Sequence, residues 1–202
     1  MYSKKILFIL PLSLISTLMF SCTKEQERRA YDKYGGPDAY IKTNGKTSHL
    51  NEPKNITFYT DISTGDKYRK IVDYAIKEVN RFSRIEYKLS YKSDLENCNF
   101  IITKEYIAGA FARFGITNMR MNSNAEILSS KIYFNVNQYD IRTEAQNKKT
   151  MIHEIGHSLG LNDIYADELK GYSVMVKGNY DLENYTKFDI TNIIWYYGGV
   201  YK

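Results

Sequence analysis

Two histidines four residues apart, with a glutamate beside the first, are the part of this 202-residue sequence whose spacing could do chemistry. They are His153, Glu154 and His157, in the stretch HEIGHSLGLND. On a helix, residues four apart lie on one face, so both imidazoles can bind one metal ion. Glu154 then lies beside the first ligand, where it can act on a water molecule at the metal rather than on the metal itself.

Asp163 is the candidate third ligand. Gly160 can adopt a positive φ, which ends the helix and turns the chain so that Asp163 returns toward the same ion. Two neutral imidazoles and one carboxylate leave a fourth position for water, as in catalytic zinc sites. The sequence therefore predicts one catalytic Zn²⁺ ion held by His153, His157 and Asp163. A zinc enzyme with a distant glutamate as third ligand is the alternative arrangement.

The motif resembles that of the metzincin zinc peptidases, in the variant in which aspartate replaces the third histidine, as in snapalysin-like enzymes. The stretch YSVM, which ends at Met175, is similar to the methionine-containing turn that these families place beneath the metal. The sequence around Phe188 and Asp189 resembles the closing helix of matrixin-type members. The resemblance covers about residues 55–199, and its most diagnostic residues surround Glu154.

The resemblance implies a zinc-dependent endopeptidase with Glu154 as general base for peptide hydrolysis. It also implies an α+β, metzincin-like fold: a mixed twisted sheet, an active-site helix, a Met-turn at Met175 and a C-terminal helix. In these families an extended peptide pairs with an exposed edge strand above the metal. Gly109–Phe114 is the candidate edge by position, and an ordinary exposed hairpin is the alternative reading of that segment.

Two positions depart from the family pattern. Some metzincins have a tyrosine two residues after the Met-turn methionine that stabilises the oxyanion, whereas this chain has Lys177 there. Tyr180 is close enough in sequence to be the candidate oxyanion stabiliser. Matrixins also bind a structural zinc ion, largely through histidines; only His49 remains here, so we predict no second zinc ion and an exposed His49.

A catalytically weak or inactive zinc-containing cell-surface binding module is the competing function. Glu154 argues against that alternative, because a purely structural zinc site does not require a general base. Protein or peptide substrates are therefore the expected partners. We expect a monomer. We also expect no nucleic-acid binding, since the net charge of +5 is scattered along the chain and includes Lys4 and Lys5 of a leader segment.

The amino terminus resembles a bacterial lipoprotein signal. Met1–Lys5 is short and basic, Ile6–Phe20 is apolar, and Ser21 and Cys22 follow. We predict a signal peptide over residues 1–21, with a lipid on Cys22 that anchors the protein to a membrane or surface of the bacterial cell envelope. A secreted protein without the lipid is the alternative.

The sequence predicts two further segments after the signal peptide. Residues 22–52 are polar and rich in turn signals, which predicts a tether or loosely packed arm, and residues 53–202 form the zinc metallopeptidase domain. An arm carboxylate such as Asp32 or Asp38 could block the metal. If Cys22 carries the lipid, Cys98 is the one remaining thiol, and we expect it to be a small buried hydrophobic residue.

Hydrophobic periodicity predicts strands interspersed with helices across this domain. The predicted helices begin at Thr64 or Asp66 and end near Val79, run from about Thr143 to Leu159, and run from about Tyr185 to Tyr197. The predicted strands are Ile56–Thr60, Ile85–Tyr91, Asn99–Thr103, Ala110–Phe114 and Lys131–Val136.

Overall fold

A computed structural model describes residues 28–29, 31–53, 56–81, 87–108, 113–178 and 182–197. Over these ranges the chain has a mixed α/β fold with a mostly parallel sheet and several helices, which is compatible with the predicted α+β class. None of the helices in these ranges has the length and apolar character needed to cross a bilayer.

The main sheet has the strand order β3–β8–β6–β4–β5, and β7 pairs with β8. Every pairing in this sheet is parallel except that of β7 with β8. A separate hairpin joins β1 and β2. The strands are β1 (Lys42–Thr43), β2 (Lys46–Thr47), β3 (His49–Leu50), β4 (Ile56–Thr60), β5 (Tyr87–Tyr91), β6 (Phe100–Glu105), β7 (Gly115–Met121) and β8 (Glu126–Asn135).

Two long helices form the layer that covers the sheet beside the candidate site. They are α1 (Arg69–Val79) and α3 (Glu144–Ser158), which contact each other. The apolar side chains of α1 recur with helical spacing and are buried in the core. A capping box between Thr143 and Gln146 begins α3 by satisfying amide groups at its first turn. The short helix α2 (Val136–Tyr139) precedes α3, and α4 (Lys187–Tyr197) follows it.

The structure confirms most of the predicted elements and adds a strand that was not predicted. The strands predicted around residues 56–60, 85–91, 99–103 and 131–136 correspond to β4, β5, β6 and β8, and the three predicted helices correspond to α1, α3 and α4. Most of the strand predicted at Ala110–Phe114 lies outside the described residues, its last two residues are not in a strand, and β7 follows directly at Gly115–Met121. Exposed polar residues such as Asn118 and Arg120 on one face, and Gly115 and Thr117 on the other, conceal this strand from hydrophobic periodicity.

Residues 31–53 differ from the loosely packed arm that the sequence predicts. Tyr40 and Leu50 are almost completely buried in the core. The Tyr40 hydroxyl donates a hydrogen bond to the carbonyl of Asn192 at 2.8 Å, and the amide of Gly36 donates to the Asn192 side chain at 2.7 Å. Apolar and aromatic residues spaced through a polar segment supply this packing, so the composition of the segment does not reveal it.

Two residues outside the metal motif also differ from expectation. His49 is half-buried and stacks on Tyr196 with ring centroids 5.1 Å apart, so the prediction of an exposed side chain is wrong. Cys98 is half-buried rather than buried, and its Sγ contacts the Asp94 carbonyl at 3.6 Å.

Candidate metal centre and active site

Helix α3 brings the two histidines together, as their spacing predicts. The imidazole rings of His153 and His157 have centroids 4.7 Å apart and lie at 84° to each other. Their side chains are only 12% and 15% exposed. The two rings therefore share a partly enclosed position on one face of the helix.

Backbone carbonyls fix which nitrogen of each ring faces the site. The Nδ1 atom of His153 lies 2.9 Å from the carbonyl oxygen of Val174, and the Nδ1 atom of His157 lies 2.8 Å from that of Leu161. A ring that donates its Nδ1 proton to a carbonyl keeps an unprotonated Nε2 for a metal. Both Nε2 atoms are directed toward Asp163.

Gly160 turns the chain at the end of α3. Its φ is +89°, and a Cβ atom at this position would lie 2.7 Å from the backbone oxygen of Ser48. The amide of Gly160 donates to the His157 carbonyl at 2.8 Å, and that of Leu161 donates to the Gly156 carbonyl at 3.0 Å. A residue without a side chain is therefore required both by the backbone conformation and by the close approach of the segment around Ser48.

The turn at Gly160 brings Asp163 back to the histidines. Asp163 Oδ1 lies 3.1 Å from His153 Nε2 and 3.6 Å from His157 Nε2. A tetrahedral zinc ion about 2.0–2.1 Å from each ligand atom separates those atoms by roughly 3.3 Å. All three ligand atoms lie within 4.8 Å of one another. The group His153, His157 and Asp163 could therefore hold a metal ion with little rearrangement.

The surroundings lower the pKa values of both His157 and Asp163. Burial lowers the pKa of His157, and the neighbouring His153 lowers it further. Burial alone would raise the pKa of Asp163, but in the absence of a metal the hydrogen bond from protonated His153 and the charges of both histidines and Lys177 lower it to about 2. A neutral imidazole and an ionised carboxylate are the ligand forms of these side chains.

Met175 lies beneath the metal-binding part of α3. A Cβ atom on Gly156 would be 2.5 Å from the Met175 Sδ, so the absence of a side chain on the helix makes room for the methionine. The chain after Asp163 is joined to this turn, because the Ile164 amide donates to the Met175 carbonyl at 2.9 Å. The predicted Met-turn residue and the predicted third ligand are thus linked through backbone hydrogen bonds.

Asp189 of α4 supports the same turn from below and was not assigned this role from sequence. Its carboxylate is almost completely buried and accepts hydrogen bonds from Ser173 Oγ at 2.5 Å and from the Val174 amide at 3.0 Å. It also accepts from the amide of Thr186 at 2.9 Å. Because Val174 supplies the carbonyl that orients His153, Asp189 acts on the metal ligand through the backbone.

Glu154 is 7% exposed and projects toward β7. Its Oε2 atom accepts a hydrogen bond of 2.6 Å from the hydroxyl of Thr117. A Cβ atom on Gly115 would lie 2.8 Å from Glu154 Cγ and 3.1 Å from its Oε1. The carboxylate therefore occupies space that a glycine leaves in β7, and Thr117 of the same strand binds it.

The metal group and Glu154 border a cavity of about 670 Å³. Residues 115–119 of β7 form one side of this cavity, and the residues around Asn162 and Lys177 lie on other parts of its boundary. The amide of Asn135 donates to the carbonyl of Phe114, so in this antiparallel pair the backbone groups of even-numbered residues face β8. The N–H and C=O groups of Gly115, Thr117 and Met119 consequently point to the open edge.

Lys149 is a further residue of this cavity that sequence reasoning missed. It lies four residues before His153 on α3, is 4% exposed, and donates a hydrogen bond of 3.4 Å to the Val176 carbonyl. Burial lowers its pKa to about 8, and the charge of Glu154 offsets only part of that effect. The i, i+4 relation to His153 was a usable sequence signal; nothing in the sequence marked Gly115 or Thr117.

Of the other residues that the sequence singled out, Lys177 lies near the metal group and several fall outside the described residues. Lys177 is exposed, with Nζ 3.5 Å from the hydroxyl of Tyr165, and that hydroxyl lies 3.4 Å from Asp163 Oδ2. Tyr180 and Cys22 fall outside the described residues, as do residues 109–112 of the predicted edge.

The two arm carboxylates are not at the metal group. Asp38 forms an ion pair of 2.7 Å with Lys42, and Asp32 is exposed. The part of the arm that does reach the site is its backbone: the Asn162 amide donates to the Ala39 carbonyl at 2.8 Å, and the Ile41 amide donates to the Gly160 carbonyl at 2.8 Å. These bonds brace the loop that carries the third ligand.

Comparison with other proteins adds no family to this picture. No protein-family model matches the chain, and no curated protein shows significant sequence similarity to it.

Proposed function

We propose that this protein is a zinc-dependent endopeptidase of metzincin type with aspartate as its third ligand. The observation that carries the proposal is the position of Glu154: it borders the same cavity as the three-residue metal group and bonds to β7, whose other edge no described strand covers. A structural metal site needs neither the carboxylate nor the strand. Two imidazoles and one carboxylate suit zinc and leave a coordination position for water.

The chain's own residues account for the steps around the scissile bond. Bound zinc would lower the pKa of water and polarise a carbonyl group, which is the chemistry the protein residues must complement. Glu154 takes the proton of the attacking water on its carboxylate and passes it to the departing amine. Oε1 is the oxygen that performs this transfer, since Oε2 is engaged by Thr117.

Strand addition is the proposed mode of substrate binding. The outward backbone groups of Gly115, Thr117 and Met119 offer donors and acceptors to an extended peptide along the edge of β7. No described strand pairs with this edge. This edge starts at Gly115, six residues after Gly109, where the sequence predicted its start.

Replacement of Glu154 by glutamine tests the activity. The purified zinc-loaded protein is expected to cleave casein and a library of proteome-derived peptides, and Glu154→Gln is expected to lower kcat by at least about 1000-fold because no base remains. Zinc content, measured by metal analysis, should be equal in both proteins, since Glu154 is not a ligand.

Two results would contradict the proposal. Equal cleavage by the wild type and Glu154→Gln would exclude Glu154 as the base. Stoichiometric zinc binding without cleavage of any peptide would favour the alternative, a cell-surface binding module.

A location in the bacterial cell envelope is part of the proposal and rests on sequence alone. The basic start, the apolar run Ile6–Phe20 and Cys22 support a lipid anchor, and substrates would then be proteins or peptides outside the cytoplasm. Labelling of cells with a fatty-acid analogue tests the anchor, and absence of label on the protein would leave secretion as the alternative.

A further inference from the structure

We infer that Thr117 is a positioning residue for Glu154, through which the strand that binds the substrate also sets the orientation of the general base. The inference rests on the proposed peptidase function. It concerns a residue outside the metal motif, on a strand that precedes the motif by more than thirty residues.

The contact between the two side chains is short and shielded. Thr117 Oγ1 lies 2.6 Å from Glu154 Oε2 and 3.0 Å from the backbone carbonyl oxygen of Glu154. A hydroxyl has one proton to donate, and an ionised carboxylate is a stronger acceptor than a carbonyl. Thr117 therefore donates its hydroxyl proton to the Glu154 carboxylate rather than to the Glu154 carbonyl. Since Glu154 is only 7% exposed, water cannot easily replace this donor.

Gly115 limits the same carboxylate from a second direction. A Cβ atom on Gly115 would lie 2.8 Å from Glu154 Cγ and 3.1 Å from Thr150 Cγ2. Gly115 and Thr117 are two residues apart on β7, so they face the same side of the sheet. The glutamate thus lies against a glycine and is bonded to a threonine, which leaves Oε1 as the oxygen free of the Thr117 bond.

The backbone of Thr117 has a different task from its side chain. Its N–H and C=O groups point to the open edge of β7, as the bond from the Asn135 amide to the Phe114 carbonyl establishes for odd-numbered residues. A peptide that adds to this edge would bind the backbone of the residue whose hydroxyl holds Glu154. Pairing of the substrate would then fix the strand position from which the base is held.

Thr117→Val and Thr117→Ser are the deciding pair of variants. Valine keeps the shape and removes the hydroxyl, whereas serine keeps the hydroxyl. With a fluorogenic peptide, we expect Thr117→Val to lower kcat 10- to 100-fold with KM changed less than threefold. Thr117→Ser should restore kcat to within about threefold of wild type. Zinc affinity, measured by chelator competition, should be the same in all three proteins.

A second measurement does not depend on activity. In protein with ¹³C-labelled glutamate, the Glu154 carboxyl resonance, assigned by its loss in Glu154→Gln, should shift in Thr117→Val and return toward its wild-type position in Thr117→Ser. A resonance that is unchanged in Thr117→Val would overturn the inference, as would unchanged kcat or a serine variant as impaired as the valine variant. If the wild-type protein cleaves no peptide, the proposed function fails, while the resonance still decides whether Thr117 binds the Glu154 carboxylate.

Discussion

The cleft has two walls that hold their functional groups by different means. The ligand wall consists of His153, His157 and the loop Gly160–Asp163. Most of its support comes from backbone groups: the carbonyls of Val174, Leu161 and Ala39, which face or accept from it, and the Ile41 amide, which donates to it. The strand wall consists of Gly115–Met119, where one hydroxyl and one missing side chain position Glu154.

This difference has a consequence for mutational sensitivity. Backbone supports cannot be deleted by changing the residue that supplies them, so the ligand wall should tolerate most substitutions except those of the ligands and of its glycines. The strand wall depends instead on a side-chain hydroxyl and on a glycine, both of which a substitution removes. A change at Thr117 should therefore alter the peptide hydrolysis that we propose while leaving the capacity to bind a metal and the fold unchanged.

Removal of the third ligand is the largest expected effect on the ligand wall. Asp163→Ala should weaken zinc binding by about 1000-fold or more, or about 4 kcal/mol, because two imidazoles alone remain. Chelator competition measures this affinity. Asp167→Ala is the matched control, since Asp167 lies four residues later and pairs with Lys170 at the surface.

An Asp163→Ala protein that keeps its zinc affinity would contradict this assignment. It would restore the alternative in which a distant glutamate is the third ligand, and the comparison of the two walls would no longer hold.

Gly160 tests whether backbone support determines the geometry of the ligand wall. Gly160→Ala should lower the free energy of unfolding by about 2–4 kcal/mol, because its φ of +89° is unfavourable for alanine and its Cβ would be 2.7 Å from the Ser48 oxygen. Urea denaturation measures this change. Gly171→Ala is the control: it has a φ of +85° but no neighbouring atom within 4 Å, so a loss of about 1 kcal/mol is expected.

Equal losses in the two glycine variants would show that backbone conformation alone accounts for the effect. The contact with the segment around Ser48 would then not brace the ligand loop.

Lys149 should make the stability of the protein depend on pH. It is a cation in the cleft, and burial lowers its pKa from 10.5 to about 8. The folded protein releases this proton at lower pH than the unfolded chain does. The destabilisation is therefore fully present below pH 8 and disappears as the pH rises toward 10.5. Relative to Lys149→Met, the wild type should gain about 2–3 kcal/mol of stability between pH 7 and pH 10.

Urea denaturation of both proteins at the two pH values measures this gain. Lys148→Met is the control, since a hydrogen bond to Glu144 raises the pKa of Lys148. A difference between wild type and Lys149→Met that stays constant with pH would show that the ammonium group is not disfavoured in the cleft.

The sequence predicted the elements and residues whose signals are local. The spacing of His153 and His157, the glycine at 160 and the periodicity of α1 and α3 each follow from contacts within a few residues, and the structure agrees with them. Asp163 could also be predicted as a ligand from the sequence, because a single turn separates it from the end of α3.

The residues that sequence reasoning missed depend on distant parts of the chain. Thr117 contacts Glu154 across 37 positions, and no pattern in β7 marks it, because glycine, threonine and exposed polar residues interrupt its hydrophobic alternation. The packing of residues 31–53 is hidden from the sequence for a similar reason: Tyr40 and Leu50 are buried where α4 and the end of α3 lie beside them. Strand pairing and long-range burial are properties of the folded chain.

The buried carboxylate of Asp189 has a consequence for the time at which the centre forms. Asp189 lies on α4, which follows all three ligands in chain order, and it holds the turn whose Val174 carbonyl orients His153. A ribosome releases the segments of a chain in that same order. A nascent chain therefore contains every ligand before it contains their support, so the peptidase centre we propose would become competent only after α4 has been synthesised and docked.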